Sequence, residues 1–447
     1  MTGYKARRLP RHRGPAAWAE ILGEGPKYGP LDGEVTADVA VIGAGFAGLS
    51  AARRVQQLDP KARVIVLEAG RLAEGAAGRN SGFMIDLPHD LASDDYAGKG
   101  SEADRKVIAL NRRAIGFGRE AVEEYGIDPA FFDPSGKVNG AASAKGHAHN
   151  ESYARHLEGL GEEARMLDAR EMEELTGSQH YRSGLFTPGT VMLQPAGYIR
   201  GLGKGLSRRV RICEESPVLG FQRVGADWRV RCEKGLVTAG KVILACNGHL
   251  ESFGIAKGRL MQLFLYASMT CDLGGERSSR LGGASRWGIT PSDPMGTTMR
   301  RIDAAQGGVR IITRTAATLR PGMVPSHADL TRAGRIHRKK FDARFPNLKD
   351  IPMEHVWAGH LCLSLNGVAH AREIEEGVYS ACVQNGLGTA RGTLTGIAAA
   401  ERACGVQSDV TAYFDGEAEP KPLPPQPFAS LGANAYLRWK EWRAGAE

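Results

Sequence analysis

Asp38-Val-Ala-Val-Ile-Gly43-Ala-Gly45-Phe-Ala-Gly48-Leu-Ser-Ala-Ala-Arg-Arg-Val-Gln-Gln-Leu58 decides the fold of this chain. Its first half is a short apolar run ending in glycine, the pattern of a strand buried on both faces of a parallel sheet. Its second half has helical spacing, and Arg63-Val-Ile-Val-Leu-Glu68 beyond it reads as a second buried strand, so the unit is β-α-β. Gly43-x-Gly45-x-x-Gly48 falls between strand and helix, and Glu68 closes the second strand, which is the context a dinucleotide-binding fingerprint requires. Gly43 allows the tight turn and Gly45 lets the backbone approach a pyrophosphate. Phe46, Ala47 and Gly48 open a helix whose N–H groups and dipole favour phosphate, and Glu68 accepts from a ribose hydroxyl. The competing reading, a glycine-rich turn without a ligand, leaves the placement of Glu68 unexplained.

At 447 residues the chain exceeds what one core usually organises, which predicts an α/β architecture of two domains. Hydrophobic residues at 42% and charged residues at 24% exclude disordered, fibrous and membrane compositions. The net charge of +8 suits an anionic cofactor or substrate at least as well as nucleic acid. Seven cysteines, odd in number and never spaced C-x-x-C, argue against a zinc site or a disulfide framework and for a reducing cytoplasm, so no metal is expected. The basic N-terminus lacks the apolar core of a signal peptide, and no stretch reaches the length of a membrane span.

Residues 1–35, rich in Pro and Gly, read as an extended arm lying on the body. Helical patterns cover 102–125, 151–175 and 328–345. Strand-like runs occur at Val210–Ile212, Trp228–Cys232, Lys241–Ala245, Leu260–Thr270, Val309–Thr315 and Val378–Val383. The last precedes Asn385-Gly-Leu-Gly-Thr-Ala-Arg-Gly392 and an Ala-rich helix ending near Cys404, while the Pro-rich 419–428 reads as irregular.

FAD and NAD sites share the fingerprint, so the choice rests on the residues beyond Glu68. Ala69-Gly70 and Gly75-Ala-Ala-Gly78-Arg79-Asn80-Ser81-Gly82 come next. Together with Leu193-Gln-Pro-Ala-Gly-Tyr198, Lys241-Val-Ile-Leu-Ala-Cys-Asn-Gly-His249, Trp357-Ala-Gly359 and Asn385-Gly-Leu-Gly388, the chain resembles the D-amino-acid-oxidase-like FAD-dependent oxidoreductases over nearly its whole length. The resemblance is closest to the gamma-glutamylputrescine oxidase branch.

That resemblance implies a glutathione-reductase-type Rossmann-like FAD domain with an inserted antiparallel-sheet substrate domain. Residues 36–90, 165–255 and 351–415 would form the first, residues 91–164 and 256–350 the second, and 416–447 a C-terminal tail. FAD would lie extended, with Ala69 and Arg71 beyond the ribose and Val218 holding the adenine through its backbone. Gly78, Arg79, Asn80, Ser81 and Gly82 would border the ribityl chain and flavin, with Asn247, Gly248 and Gly359 also around the cofactor. Gly386, Leu387, Gly388 and Thr389 would place a helix N-terminus near the flavin N1 and C2 carbonyl. Two departures from the family pattern stand out. Leu387 occupies a position where relatives often carry histidine, and Gly359 occupies the position where some relatives attach flavin through cysteine, so noncovalent FAD is expected. Cys362 nearby reads as a buried small hydrophobe.

For the substrate, the inserted sheet is rich in arginine: Arg259, Arg300, Arg301, Arg310 and Arg314. Arg314 stands where relatives place smaller residues and is the leading candidate to grip a substrate carboxylate, with Arg259 and Arg301 in reserve. An exposed strand arginine is the competing reading. His360 is a candidate wall of the pocket and catalytic residue, against the alternative of a structural histidine, while His249 and His370 fall in loops. The implied reaction is oxidation of a C–N bond in a small amine or amino acid, with O2 as acceptor or, alternatively, an electron carrier. A flavin enzyme acting on a tRNA base would need a clustered basic face, and the basic residues are scattered, the denser runs being Lys5–Arg13 and Arg332–Lys340.

Overall fold

The computed structural model describes residues 3–88 and 101–447. Strand Gly33–Ile42 pairs in parallel with Val64–Leu67 on one side and Gly235–Leu244 on the other, and Arg211–Cys213 extends the parallel set beyond Val64–Leu67. Strand Val378–Ser380 joins Gly235–Leu244, also in parallel. The buried runs Val39–Ile42 and Val64–Leu67 supply the continuous apolar surface such a sheet demands. Antiparallel strands Asp227–Arg231, Gly220–Val224 and Gly3–Lys5 complete its far edge.

Helix Phe46–Leu58 follows the first strand and packs against helix Ala390–Ala403. Their approach is close enough that a Cβ at Gly396 would stand 2.2 Å from the Ala47 carbonyl oxygen. Gly396 and Gly392 on the second helix permit this approach.

The second sheet orders Met353–Ser364, Leu260–Thr270, Arg310–Leu319, Thr298–Ile302, Trp287–Pro291, Lys137–Ala141, Ser183–Thr187 and Arg165–Leu167. All its pairs are antiparallel except Trp287–Pro291 with Lys137–Ala141. The α/β two-domain class is thus the one the chain adopts, but sheet membership departs from the partition expected along the sequence. Arg165–Leu167, Ser183–Thr187 and Met353–Ser364, assigned there to the cofactor unit, all pair in the second sheet. The 90/91 boundary lies outside the described residues.

Three local expectations are corrected. The helix expected over 151–175 is two helices, Ala144–Leu160 and Ala169–Thr176, flanking strand Arg165–Leu167. Gly161 in the left-handed region at φ +79° stops the first, and the Asp168–Glu171 capping box starts the second. The expected strand run through Val383 ends at Ser380. The stretch expected to be a tail carries helix Phe428–Ala444, docked by polar groups: Asn434 Oδ1 accepts from Leu319 N–H at 3.0 Å and Glu441 Oε1 from Ala317 N–H at 2.9 Å. Phe428, Leu431 and Trp442 on this helix are exposed, so its apolar pattern does not mark an inward face.

Candidate active site

A cavity opens where strands Gly33–Ile42, Val64–Leu67 and Gly235–Leu244 end, at their carboxyl edges, the usual ligand position in a parallel sheet. Gly43, Gly45, Phe46, Ala47, Glu68 and Ala69 line it, as do Arg71, Val218 and Asn247. Gly386 and Gly388 reach the same space from the last strand-to-helix turn, and Gly359, His360 and Arg314 reach it from the second sheet. Arg79, Asn80 and Ser81 also line it, whereas Gly48, Gly78, Gly82, Gly248, Leu387 and Thr389 do not.

The three fingerprint glycines answer to different demands. Gly43 has φ +106°, and a Cβ there would lie 2.7 Å from the Ala245 carbonyl oxygen. At Gly48 a Cβ would lie 1.8 Å from the Gly43 carbonyl oxygen. Both are therefore required by the polypeptide itself. A Cβ at Gly45 would meet only the Ala77 Cβ, at 3.5 Å, an ordinary contact. Nothing in the chain demands glycine at 45, so the open space is kept for a group in the cavity.

The two helices that begin there share a second property. Neither Phe46–Leu58 nor Ala390–Ala403 has a side-chain cap, a trait they share with Phe428–Ala444 and two single-turn helices, whereas the helices beginning after Ser143, Asp168, Gln194, Ser326 and Ser408 each have one. Thr389, at the cap position, donates its hydroxyl to the Phe83 carbonyl at 2.8 Å instead. Two sets of helix N–H groups are left for an external acceptor such as a diphosphate or a flavin carbonyl. Glu68 accepts from Ala44 N–H at 2.8 Å and Gly70 N–H at 3.1 Å, and burial raises its pKa against those donors. Its carboxylate ends the second strand, where a ribose hydroxyl can replace one of those donors. These features fit FAD.

Arg79 is placed differently from a phosphate or flavin ligand. It is buried, Nε donates to Glu74 O at 2.6 Å, Nη1 to Arg13 O and Ala358 O, both at 3.3 Å, and Nη2 to Gly14 O at 3.1 Å. It fastens the loop to two other segments, and burial lowers its pKa to about 10. Asn80 folds onto its own loop, donating to Ala77 O at 2.6 Å and accepting from Gly82 N–H at 2.7 Å. Arg71 pairs with Glu215 at 3.1 Å. Gly359 lies on Met353–Ser364, where a Cβ would press to 3.2 Å on the Arg79 carbonyl oxygen.

The substrate arginines divide. Arg314, on Arg310–Leu319, lines the cavity. Arg259 does not: it donates to Pro420 O at 2.7 Å and pairs with Glu419 at 3.4 Å. Arg301 does not either, since Nη1 donates to the Gly282 and Gly283 carbonyls. Arg300 is buried and donates to Ser81 O at 3.2 Å and to Leu193 O, with its guanidinium 5.2 Å from the Trp18 ring. Both reserve ligands are thus corrected to structural roles.

His360 Nε2 and Gln262 Oε1 are 2.9 Å apart, and its ring stacks on Phe264 at 5.1 Å. Burial, then the neighbouring His249 and His12, lowers its pKa to about 3, so it is neutral at pH 7. His249, expected in a loop, lies in the 3-10 segment Asn247–Phe253, lines the cavity and meets His360 edge-on at 5.7 Å. Burial lowers its pKa to about 4. The N-terminal arm also lines the cavity, through Arg8 to His12. The basic run Lys5–Arg13 was the available signal for it, but sequence alone gives no direction for those side chains. Among the described residues no cluster of His, Cys, Asp or Glu could hold a metal, and no helix is long and apolar enough to cross a membrane.

The class defined by this fold and site is recognisable by comparison. The model of the family described as DAO, FAD dependent oxidoreductase, matches residues 38–402, and the chain belongs to that family. It is similar to a probable oxidoreductase OrdL of Rhizobium meliloti (strain 1021), 24% identical over 88% of this chain and 89% of that protein. It is likewise similar to the gamma-glutamylputrescine oxidoreductase of Escherichia coli (strain K12), 25% identical over 92% of this chain and 95% of that one. Among solved structures, glycine oxidase from Geobacillus kaustophilus superposes with a TM-score of 0.67 at 15% identity, over 84% of this chain and 96% of that chain. L-Proline dehydrogenase from P. horikoshii gives 0.63 at 17% identity, over 86% and 97%. The solved structures agree on the fold, and the family makes this an FAD-dependent oxidoreductase.

Proposed function

We propose that the chain oxidises the C–N bond of a small amine bearing a carboxylate, with O2 as electron acceptor. The observation carrying this reading is that Arg314 lines the same cavity as the fingerprint turn. It is supported by the names of similar proteins: glycine, proline and amino acids each join an amine to a carboxylate. FAD supplies a two-electron acceptor that takes a hydride from the carbon bearing the amine; the resulting imine hydrolyses in water. The remaining work belongs to the chain. Arg314 holds the carboxylate through a charge-assisted pair and so fixes the reacting carbon's position. His360 and Phe264 form an uncharged wall, and neutral His360 adds no cationic repulsion against the amine. The turn Gly386–Gly388 lines the cavity and would offer helix N–H groups to a flavin carbonyl there. With Gly359 at the position where relatives use cysteine, FAD is held noncovalently, and acid precipitation should leave a colourless pellet and yellow supernatant.

Arg314→Ala tests the reading. A small carboxylate without an amine, titrated into the oxidised enzyme and followed through the flavin spectrum, should bind the variant about 100-fold more weakly, because the carboxylate would enter the pocket unpaired. Equal affinity in both proteins would remove Arg314 from the site.

A further inference from the structure

The arm that precedes the fingerprint strand is fastened at two places, with the cavity between them. At one end, Gly3–Lys5 adds a strand to Gly220–Val224, and Tyr4 stacks on Phe221 with centroids 4.5 Å apart. Ala6 N–H and Arg7 N–H then donate to the Leu219 and Ser252 carbonyls, each at 2.9 Å. At the other end, Arg79 holds the Arg13 and Gly14 carbonyls. Gly14 has φ +73°, and a Cβ there would stand 2.7 Å from the Val356 carbonyl oxygen, so the chain passes tightly against Met353–Ser364. Trp18, fully buried, donates Nε1–H to the Asn80 carbonyl at 2.9 Å. Residues Arg8 to His12 run between these anchors and line the cavity that the Gly43–Ala47 turn also lines.

The charges in that wall are one-sided. Arg8, Arg11, Arg71, Arg79 and Arg314 line the cavity against one carboxylate among the described residues, Glu68, which is occupied by backbone N–H groups. Arg71 already pairs with Glu215, Arg79 with carbonyls, and Arg314 enters from the second sheet. Arg8 and Arg11 bring their charge on the arm itself; Arg8 spends Nη1 on the Pro321 carbonyl at 2.5 Å, which leaves its other guanidinium donors, and no lining carboxylate answers either residue. The same cavity is lined by the start of helix Phe46–Leu58, which has neither a side-chain cap nor an acidic residue in its first turn. A group with two adjacent negative charges satisfies both sides at once: the helix N–H groups on one, the guanidinium groups on the other.

We propose that Arg8–His12 is a strap closed over the diphosphate of FAD, with Arg8 and Arg11 as its cationic partners opposite the N-terminus of helix Phe46–Leu58. This rests on the reading of Gly43–Gly48 as the diphosphate turn. The cofactor then enters and leaves only when the strap lifts, and its retention depends on ionic strength.

The test uses full-length holoenzyme and the doubly substituted variants Arg8→Ala/Arg11→Ala and Arg8→Lys/Arg11→Lys, their folding checked by thermal melting. Release of FAD on dilution is read from the rise in flavin fluorescence at low and high salt. The alanine pair should lose FAD affinity by about tenfold for each arginine and lose most of its salt dependence, since each charge-assisted contact is worth about one decade. The lysine pair should recover the salt dependence and part of the affinity. Unchanged release and salt dependence in the alanine pair would overturn the strap, as would unchanged release with a raised KM for the amine, which would turn the arginines toward substrate. A wild-type chain that takes up no FAD would instead overturn the cofactor reading beneath it.

Discussion

Gly45 and Gly48 stand three residues apart and should fail in different ways. A Cβ at Gly45 meets only Ala77 and the residue lines the cavity, so Gly45→Val should fold with near-normal thermal stability yet purify largely without flavin. Gly48→Ala places a Cβ against the Gly43 carbonyl and should cost about 3 kcal/mol or more in a denaturant melt. Full flavin occupancy in the first variant, or native stability in the second, would show that the assignment of demands is wrong. The sequence displays these glycines as one motif, and only the packing separates them. Arg79, Arg259 and Arg301 show the same boundary of legibility. An arginine that binds backbone carbonyls leaves no trace in residue types, so its charge reads as a ligand until its donors are counted. Arg314 and His360 both line the cavity, each from within a strand of the second sheet.

Elements marked by a periodic apolar face are legible from sequence, and those held by polar contacts are not. The β-α-β unit from Asp38 to Glu68 is readable because its strand cores are apolar and its turn carries three glycines, although its first strand begins earlier, at Gly33, where polar residues hide it. Helix Phe428–Ala444 inverts the usual rule: Asn434 and Glu441 face the body while Phe428, Leu431 and Trp442 are exposed. Glu441 also pairs with Arg332 and Arg438, so Glu441→Ala should leave the Ala317 N–H and two guanidinium groups without this partner. A loss of about 1–3 kcal/mol in a urea titration is expected, with the flavin spectrum unchanged. The strand Arg165–Leu167 is hidden inside an apparent helix because three residues are too few to establish a period of two, while Gly161 and Asp168 are the punctuation that divides it.

Across the whole molecule, two sheets meet at one cavity, and the histidines there share a titration behaviour. His12, His249 and His360 all have folded pKa values depressed below the ordinary 6.5, to about 4, 4 and 3, with burial the largest cause in each. Between those values and 6.5 the unfolded chain binds protons that the native state does not, so stability is full above about pH 6.5 and falls as pH drops toward 4. Thermal melts at stepped pH should show this decline, and His360→Gln should make it shallower. A melting temperature flat from pH 7 to pH 4 would contradict the depressed pKa values of these cavity histidines. We propose that this cavity, with FAD bound, oxidises amines that carry a carboxylate. The most direct test is anaerobic titration of the purified holoenzyme with matched amines, with and without a carboxylate, monitoring the visible flavin band. Rapid bleaching by the carboxylate-bearing amines and slow or no bleaching by the uncharged monoamines is the expected result; equal bleaching by both, or none by either, would contradict it.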